Sequence, residues 1–469
     1  MQTAREIAAR PPVMAPSNRL LGETTMIEES SVPPEKSSPQ PSRRRFLQQS
    51  TAAVAAGSLV GTLGSARQAH AAANNDEIKI AVIGCGGRGT GAAINALDAD
   101  KNTRIVALAD VFDFRVRGLK HVIERQYKSR VDVPEDRQFV GLDAYRKALA
   151  TDCDLVLMAA PPGFRPIHFE AAVKAGKHVF MEKPVATDPA GVRRILAAGE
   201  EAKRKNLLVQ VGLQRRHERR YQEIIKRVQD GAIGDVLLTR AYWNGTTPWV
   251  RPRKPGQTEL EYQIHNWYFF NWIGGDHIVE QHIHNLDVIN WLKNAYPVKA
   301  NGMGGREVRT GMDHGQIFDH HFVEFTYADG SKMYSQCRHM DGTWTQVAEY
   351  AHGTKGTANL WDSIYDEKGK RIAHATGGNG HQTEHDDLFP ALRRGDRPNE
   401  AEYGALSTMT AIFGRMATYS GQELNWDACL NSQIDLGVKD FMSFDETPPV
   451  LPDANGRYPV PVPGKTRVV

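Results

Sequence analysis

An α/β domain wound around a parallel sheet, followed by an α+β domain with a mostly antiparallel open sheet, is the architecture this sequence predicts. Three observations predict it. From Glu77 to about Gly212, short apolar runs alternate with helical stretches, as in a sheet covered on both faces. After Gly212 the strand-like runs follow one another across turn signals such as Ala328-Asp-Gly330, which joins antiparallel strands. Residues 1–71 carry neither period and form a leader. The predicted segments are therefore a leader over 1–71, domains over 77–212 and 213–443, and a Pro-rich tail over 444–469.

At 469 residues the chain is long enough for two cores. The formal charge of +3 sits wholly in residues 1–71, which hold 8 Lys+Arg against 5 Asp+Glu; the neutral remainder argues against a nucleic-acid partner. Ser42-Arg43-Arg44-Arg45-Phe46-Leu47, the Ala/Gly-rich run 51–66 and Ala69-His70-Ala71 follow one another as the parts of a twin-arginine export signal do. That resemblance implies the twin-arginine translocation machinery as a partner and a periplasmic or otherwise exported destination. The run is too short and Gly-rich to span a membrane, so no stable insertion is expected. Met14 and Met26 are alternative starts. The four cysteines (85, 153, 337, 429) show no metal or redox spacing, and no disulfides are expected.

Strands are read at 78–83, 104–109, 154–159, 178–181 and 207–211, with helices between them that include 166–175 and 189–205. The first strand runs into a turn with Gly84, Gly86 and Gly89, the GxGxxG pattern in strand–turn–helix context. The first glycine allows the turn, the second lets a pyrophosphate approach, and the third lets helix and strand pack closely. Asp110 ends the second strand 21 residues beyond Gly89, the spacing of an acid that binds a ribose 2′-hydroxyl. A Rossmann dinucleotide-binding domain is therefore predicted, with NAD favoured over NADP because a carboxylate repels a 2′-phosphate. Arg115 and Arg117 lie close enough in sequence to bear on that choice.

In the second domain, strands are read at 235–243, 317–327, 331–338, 345–350 and 356–361, with helices at 215–229 and 400–420. The segment 274–291 reads as one helix with Val279, Ile283, Leu286 and Ile289 buried. Glu280, His284 and Asp287 then share another face. A carboxylate one turn from an imidazole can orient it for proton transfer. Trp267, Tyr268, Trp272 and Trp344 are candidate sugar platforms or core residues. Asn266, Arg215 and Arg216 are candidate hydroxyl ligands. Asp276, His277, Glu280, His282 and His284, with Asp319, His320 and His321, offer metal-ligand types but no metal spacing. No metal is expected.

The GCGGRG turn, ALAD ending at Asp110, PPGFRPIHFEAAVKAGKHVFMEKP (161–184), the glycine-led segment with His284 and Asp287, and 399–404 together resemble the Gfo/Idh/MocA oxidoreductase family. The resemblance covers about Glu77 to Ser443. It implies catalytic roles for Lys183 and His284, with Glu280 in place of the family's usual Asp. It implies cofactor contacts from Gly84, Gly86, Gly87, Arg88, Gly89, Asp110, Pro161, His168, Glu182 and Lys183. Substrate contacts are expected from Arg215, Asn266, Trp267, Tyr268 and Asp287. His282, where the family commonly has Gly, is expected to change the pocket.

The leading expectation is an exported NAD-dependent oxidoreductase that moves hydride from a sugar or cyclic-polyol carbinol to nicotinamide C4. One alternative is a glycosidase of the same fold, working by transient oxidation, elimination and re-reduction with a tightly held NAD. Another is a non-enzymatic sugar-binding scaffold. A homo-oligomer packed sheet to sheet is expected, because an open sheet face needs covering.

Overall fold

The computed structural model describes residues 76–469. The leader and its export signal lie outside the described residues. Six strands form the first sheet: β1 (Ile78–Ile83), β2 (Thr103–Asp110), β3 (Gln138–Val140), β4 (Leu155–Met158), β5 (His178–Met181) and β6 (Val209–Val211). Their order is β3-β2-β1-β4-β5-β6, and every pairing is parallel. Buried on both faces, β1, β4 and β5 are predominantly apolar, with Ile80-Ala-Val-Ile83, Leu155-Val-Leu-Met158 and Val179-Phe-Met181 as their unbroken parts. The chain reverses its winding direction at β1 and β4, and ligands of such sheets bind beyond the strand ends there.

The second sheet has nine strands. They are β7 (Val236–Gly245), β8 (Lys299–Gly305), β9 (His320–Thr326), β10 (Lys332–His339), β11 (Gln346–Gly353), β12 (Gly356–Asn359), β13 (Ser363–Asp366), β14 (Arg371–His374) and β15 (Leu424–Asn425). The order is β14-β13-β12-β11-β7-β10-β9-β8-β15, antiparallel throughout except at β7–β10. Burial alternates residue by residue along β10, the mark of one covered and one open face. Helix Ala401–Ser420 packs along the covered side against β8 and β9, and Thr410, Phe413 and Ala417 are fully buried.

The segment 274–291 is not one helix. It is two, His277–Glu280 and Ile283–Lys293, with Gln281 and His282 between them. Val279, Ile283, Leu286 and Ile289 are buried as the stripe predicts. Helix Gly380–Arg394 has no counterpart in the sequence reading. It returns to the first sheet, placing Leu388, Phe389 and Leu392 in the core that also holds Ile78 and Val82. All four cysteines are free and buried. Among the described residues no helix is long and apolar enough to cross a membrane.

Candidate active site

Beyond the carboxyl ends of the parallel strands lies a cavity of about 650 Å³. The glycine turn supplies Gly84, Gly86, Gly87 and Arg88 to its wall. The loops after β2, β4 and β5 supply Asp110, Pro161, Glu182 and Lys183, and helix Arg165–Lys174 adds His168. From the second domain come Glu280, His284 and Trp267.

The glycines divide by role. A Cβ on Gly89 would overlap the Gly84 carbonyl oxygen, and one on Gly84, at φ +94°, would overlap the Ala159–Ala160 backbone. Gly89 therefore packs helix against turn and does not itself line the cavity. A Cβ on Gly86 or Gly87 would meet nothing within 4 Å, so these two positions present bare backbone to open space. They stand at the N-terminus of helix Gly87–Ala99, where a pyrophosphate is favoured. Asp110 closes the turn, accepting from the amides of Cys85 at 2.7 Å and Phe112 at 3.0 Å. The residues present fit a dinucleotide.

At the other end, Lys183 Nζ donates to the Glu280 carbonyl at 2.7 Å and to its Oε1 at 3.2 Å. His284 lies beside them, stacked at 6.1 Å on Trp243 of β7. Burial, then the Lys183 and Arg215 cations, hold His284 well below the ordinary imidazole value, so it is neutral near pH 7. Its Nδ1 is sealed off without a partner, which leaves Nε2 as the ring nitrogen toward the cavity.

Arg88 holds two carboxylates, Glu182 and Glu384 (3.1 Å). Burial raises Glu182, but Arg88 and Lys183 outweigh it and keep Glu182 below its ordinary value. Burial and the Glu182 charge push Glu384 well above its own. His168, between Tyr145 and Phe164, is pushed down to about 3 by burial and Arg165.

Four expected substrate residues are engaged elsewhere. Asp287 accepts a bidentate pair from Arg216, at 2.7 and 2.9 Å, and a hydroxyl from Ser407 at 2.7 Å. Arg215 is paired with buried Glu349. Asn266 is fully buried, bonded to the Arg251 amide and the Asp313 carbonyl. Tyr268 is in the aromatic core. The three polar groups have each found a protein partner, and Tyr268 is held by ring packing alone; none of the four lines the cavity. Of the other aromatics, Trp272 is core, donating to Gln263 at 2.7 Å, and Trp344 sits on the open sheet face against Tyr242. His282 also faces away, bonded to Ser335 Oγ at 2.8 Å and pushed down to about 3 by burial. It does not reshape the pocket.

The fold brings Asp276, His277 and His321 together, with ligand-type atoms within 4.8 Å of one another. Asp276 Oδ1 already accepts from the His277 backbone and Nδ1. Its Oδ2 accepts from the Phe318 amide at 3.0 Å and the Tyr419 hydroxyl at 2.6 Å. Protein donors thus occupy that carboxylate.

Cavity residues that the sequence reading missed include Trp243, Trp249, Arg251, Gln281 and His381. Trp243 sits inside a correctly read strand, but nothing in its spacing marks it. Trp249, Arg251 and His381 lie in segments with no motif, and Gln281 lies unmarked between Glu280 and His284.

Residues 78–213 match the model described as "Oxidoreductase family, NAD-binding Rossmann fold", and residues 221–359 match the GFO/IDH/MocA C-terminal domain. An inositol 2-dehydrogenase of Acidiphilium cryptum is 26% identical over 382 residues, covering 80% of this chain and 99% of that protein. An inositol 2-dehydrogenase/D-chiro-inositol 3-dehydrogenase of Halalkalibacterium halodurans is 30% identical over 216 residues. That match covers 46% of this chain and only 52% of the relative, about half its length. The solved scyllo-inositol dehydrogenase of Lactobacillus casei, with bound NAD(H) and scyllo-inositol, shares the fold with a TM-score of 0.58 and 19% identity, over 75% of this chain and 100% of that one. The two family models cover more than half of the sequence between them and meet where the parallel sheet gives way to the antiparallel one: the chain belongs to the GFO/IDH/MocA family of oxidoreductases, with NAD as its cofactor.

Proposed function

We propose that the chain oxidises a secondary hydroxyl of a cyclic polyol of the inositol type, or of a sugar, in the cavity between Lys183 and His284. The observation that carries this reading is a neutral imidazole beside a lysine ammonium, in one cavity with the glycine turn. The names of the relatives support the substrate class.

Bound NAD supplies the hydride acceptor. Lys183, oriented by two oxygens of Glu280, holds the substrate oxygen and stabilises the negative charge that develops there. His284 Nε2 takes the hydroxyl proton; its lowered proton affinity keeps it in the accepting form. Trp243, stacked on the His284 ring, holds that imidazole in its plane at the cavity wall.

The test is direct. Purified protein is given myo-inositol, scyllo-inositol and aldoses with NAD, and reduced cofactor is followed optically. The expected result is net reduction with at least one polyol, lost in His284→Ala. Aglycone release from aryl glycosides without net reduction would replace this reading with redox-neutral glycoside cleavage.

Two further parts of the proposal concern context. The leader motif at Arg43 and Arg44 supports export of the folded, NAD-loaded enzyme. Tyr242, Phe322, Tyr334 and Tyr350, on the open face of the second sheet, support a homo-oligomer covering that face.

A further inference from the structure

The cavity extends past Asp110, and there it has a roof. Trp249, Arg251 and Ile264, from the stretch 246–270 of the second domain, face Phe112 and Arg115 of the first. The Arg251 guanidinium lies 3.9 Å from the centre of the Trp249 ring and donates to the His265 carbonyl at 2.7 Å. The Arg251 amide is fixed to buried Asn266 at 3.0 Å, and Trp249 packs edge-on against Trp267 at 5.7 Å. The stretch is thus anchored from beneath, while Trp249 stays 40% exposed.

Neither Arg251 nor Arg115 forms an ion pair with a carboxylate among the described residues. Two guanidiniums facing one cavity repel each other, and an electron-rich flat ring between them relieves this. The rest of the cavity fixes which ring. Gly86 and Gly87 suit the pyrophosphate and Lys183 and His284 the reacting end, which leaves the Asp110–Phe112 end for adenosine.

We propose that Trp249 and Arg251 are cofactor-binding residues, through which the second domain closes over the adenosine half of the dinucleotide and retains it between turnovers. This rests on the assignment of NAD to the cavity. Release of the cofactor then requires stretch 246–270 to lift, a step independent of the chemistry at Lys183.

The test uses the purified full chain with ADP-ribose, which carries the adenosine half and lacks nicotinamide. Trp249→Ala and Arg251→Gln are each expected to weaken ADP-ribose binding by calorimetry about tenfold, and to speed NADH release by a similar factor. Trp249→Phe, which keeps an aromatic face, is expected to recover most of the affinity. Parent affinity in both folded variants, checked by circular dichroism, overturns the roof. If one variant fails to fold, the other decides. A parent chain that binds no ADP-ribose overturns the cofactor assignment itself, an outcome distinct from tight binding that ignores both substitutions.

Discussion

Lys183 reaches across the domain boundary to take both a main-chain and a side-chain oxygen of Glu280, at 2.7 and 3.2 Å. The main-chain contact does not depend on what residue 280 is, whereas the carboxylate contact does. Lys183→Met is expected to lower kcat by about 10²- to 10⁴-fold with NAD still bound. Glu280→Gln should cost less, because the carbonyl still holds the ammonium. The double variant should be no worse than Lys183→Met alone, since both act through one group. Steady-state rates with retained NAD check this, and additive losses would separate the two residues.

The glycine turn predicts a split between stability and binding. Gly89→Ala forces a Cβ into the Gly84 carbonyl and should destabilise the fold by about 1–3 kcal/mol, read as a lower Tm without cofactor. Gly86→Ala places its methyl in open space, so the cofactor-free Tm should hold while NAD affinity falls. A Tm loss in Gly86→Ala equal to that in Gly89→Ala would remove this distinction.

Acid should unfold the chain through its buried histidines. Burial pushes His168, His282 and His385 down to about 3, and His178 and His277 to about 4. In the unfolded chain each takes a proton near about pH 6.5. The unfolded state therefore binds more protons below that pH. The stability these five rings contribute is full above about pH 6.5 and falls as pH drops toward 4, by about 1.4 kcal/mol per unit for each such group. Chemical denaturation from pH 7.5 to 4.5 measures the slope. A flat profile would mean these rings are already charged in the fold.

The leader carries its own prediction. Arg43→Lys with Arg44→Lys should leave the protein in the cytoplasm with its NAD, whereas the parent is recovered outside it. Fractionation and immunoblotting decide, and equal export of both would argue against the twin-arginine route.

Much of the fold is legible because local pattern and burial coincide. The strands read at 78–83 and 178–181 match β1 and β5 residue for residue, since strands buried on both faces are dominated by apolar residues. The helix read at 400–420 begins at Ala401. β8, with glycine at 302, 304 and 305, is invisible to pattern. Its strand character comes from pairing with β9, and side chains at Gly302 or Gly304 would overlap that neighbour's backbone. Asp287 misleads for a related reason. Helical spacing puts it on the His284 face, but the partner that captures it, Arg216, lies 71 residues away in sequence. Lys183, His284 and the glycines were legible because a motif marks them. Trp243, Arg251 and His381 were not, because tertiary folding alone brings them there.

Helix Gly380–Arg394 bears on how the chain is made. It completes a core begun at Ile78, and its first turn puts His381 into the cavity wall. A nascent chain that has emerged only to Gly212 has all six parallel strands but lacks Leu388, Phe389 and Leu392 to cover them. The core of the parallel sheet is thus incomplete without a helix from the far end of the chain. Its completion waits for residues some 300 positions downstream, and contacts of such separation form slowly. The cavity wall is therefore complete only once residue 381, from the far end of the chain, has joined it.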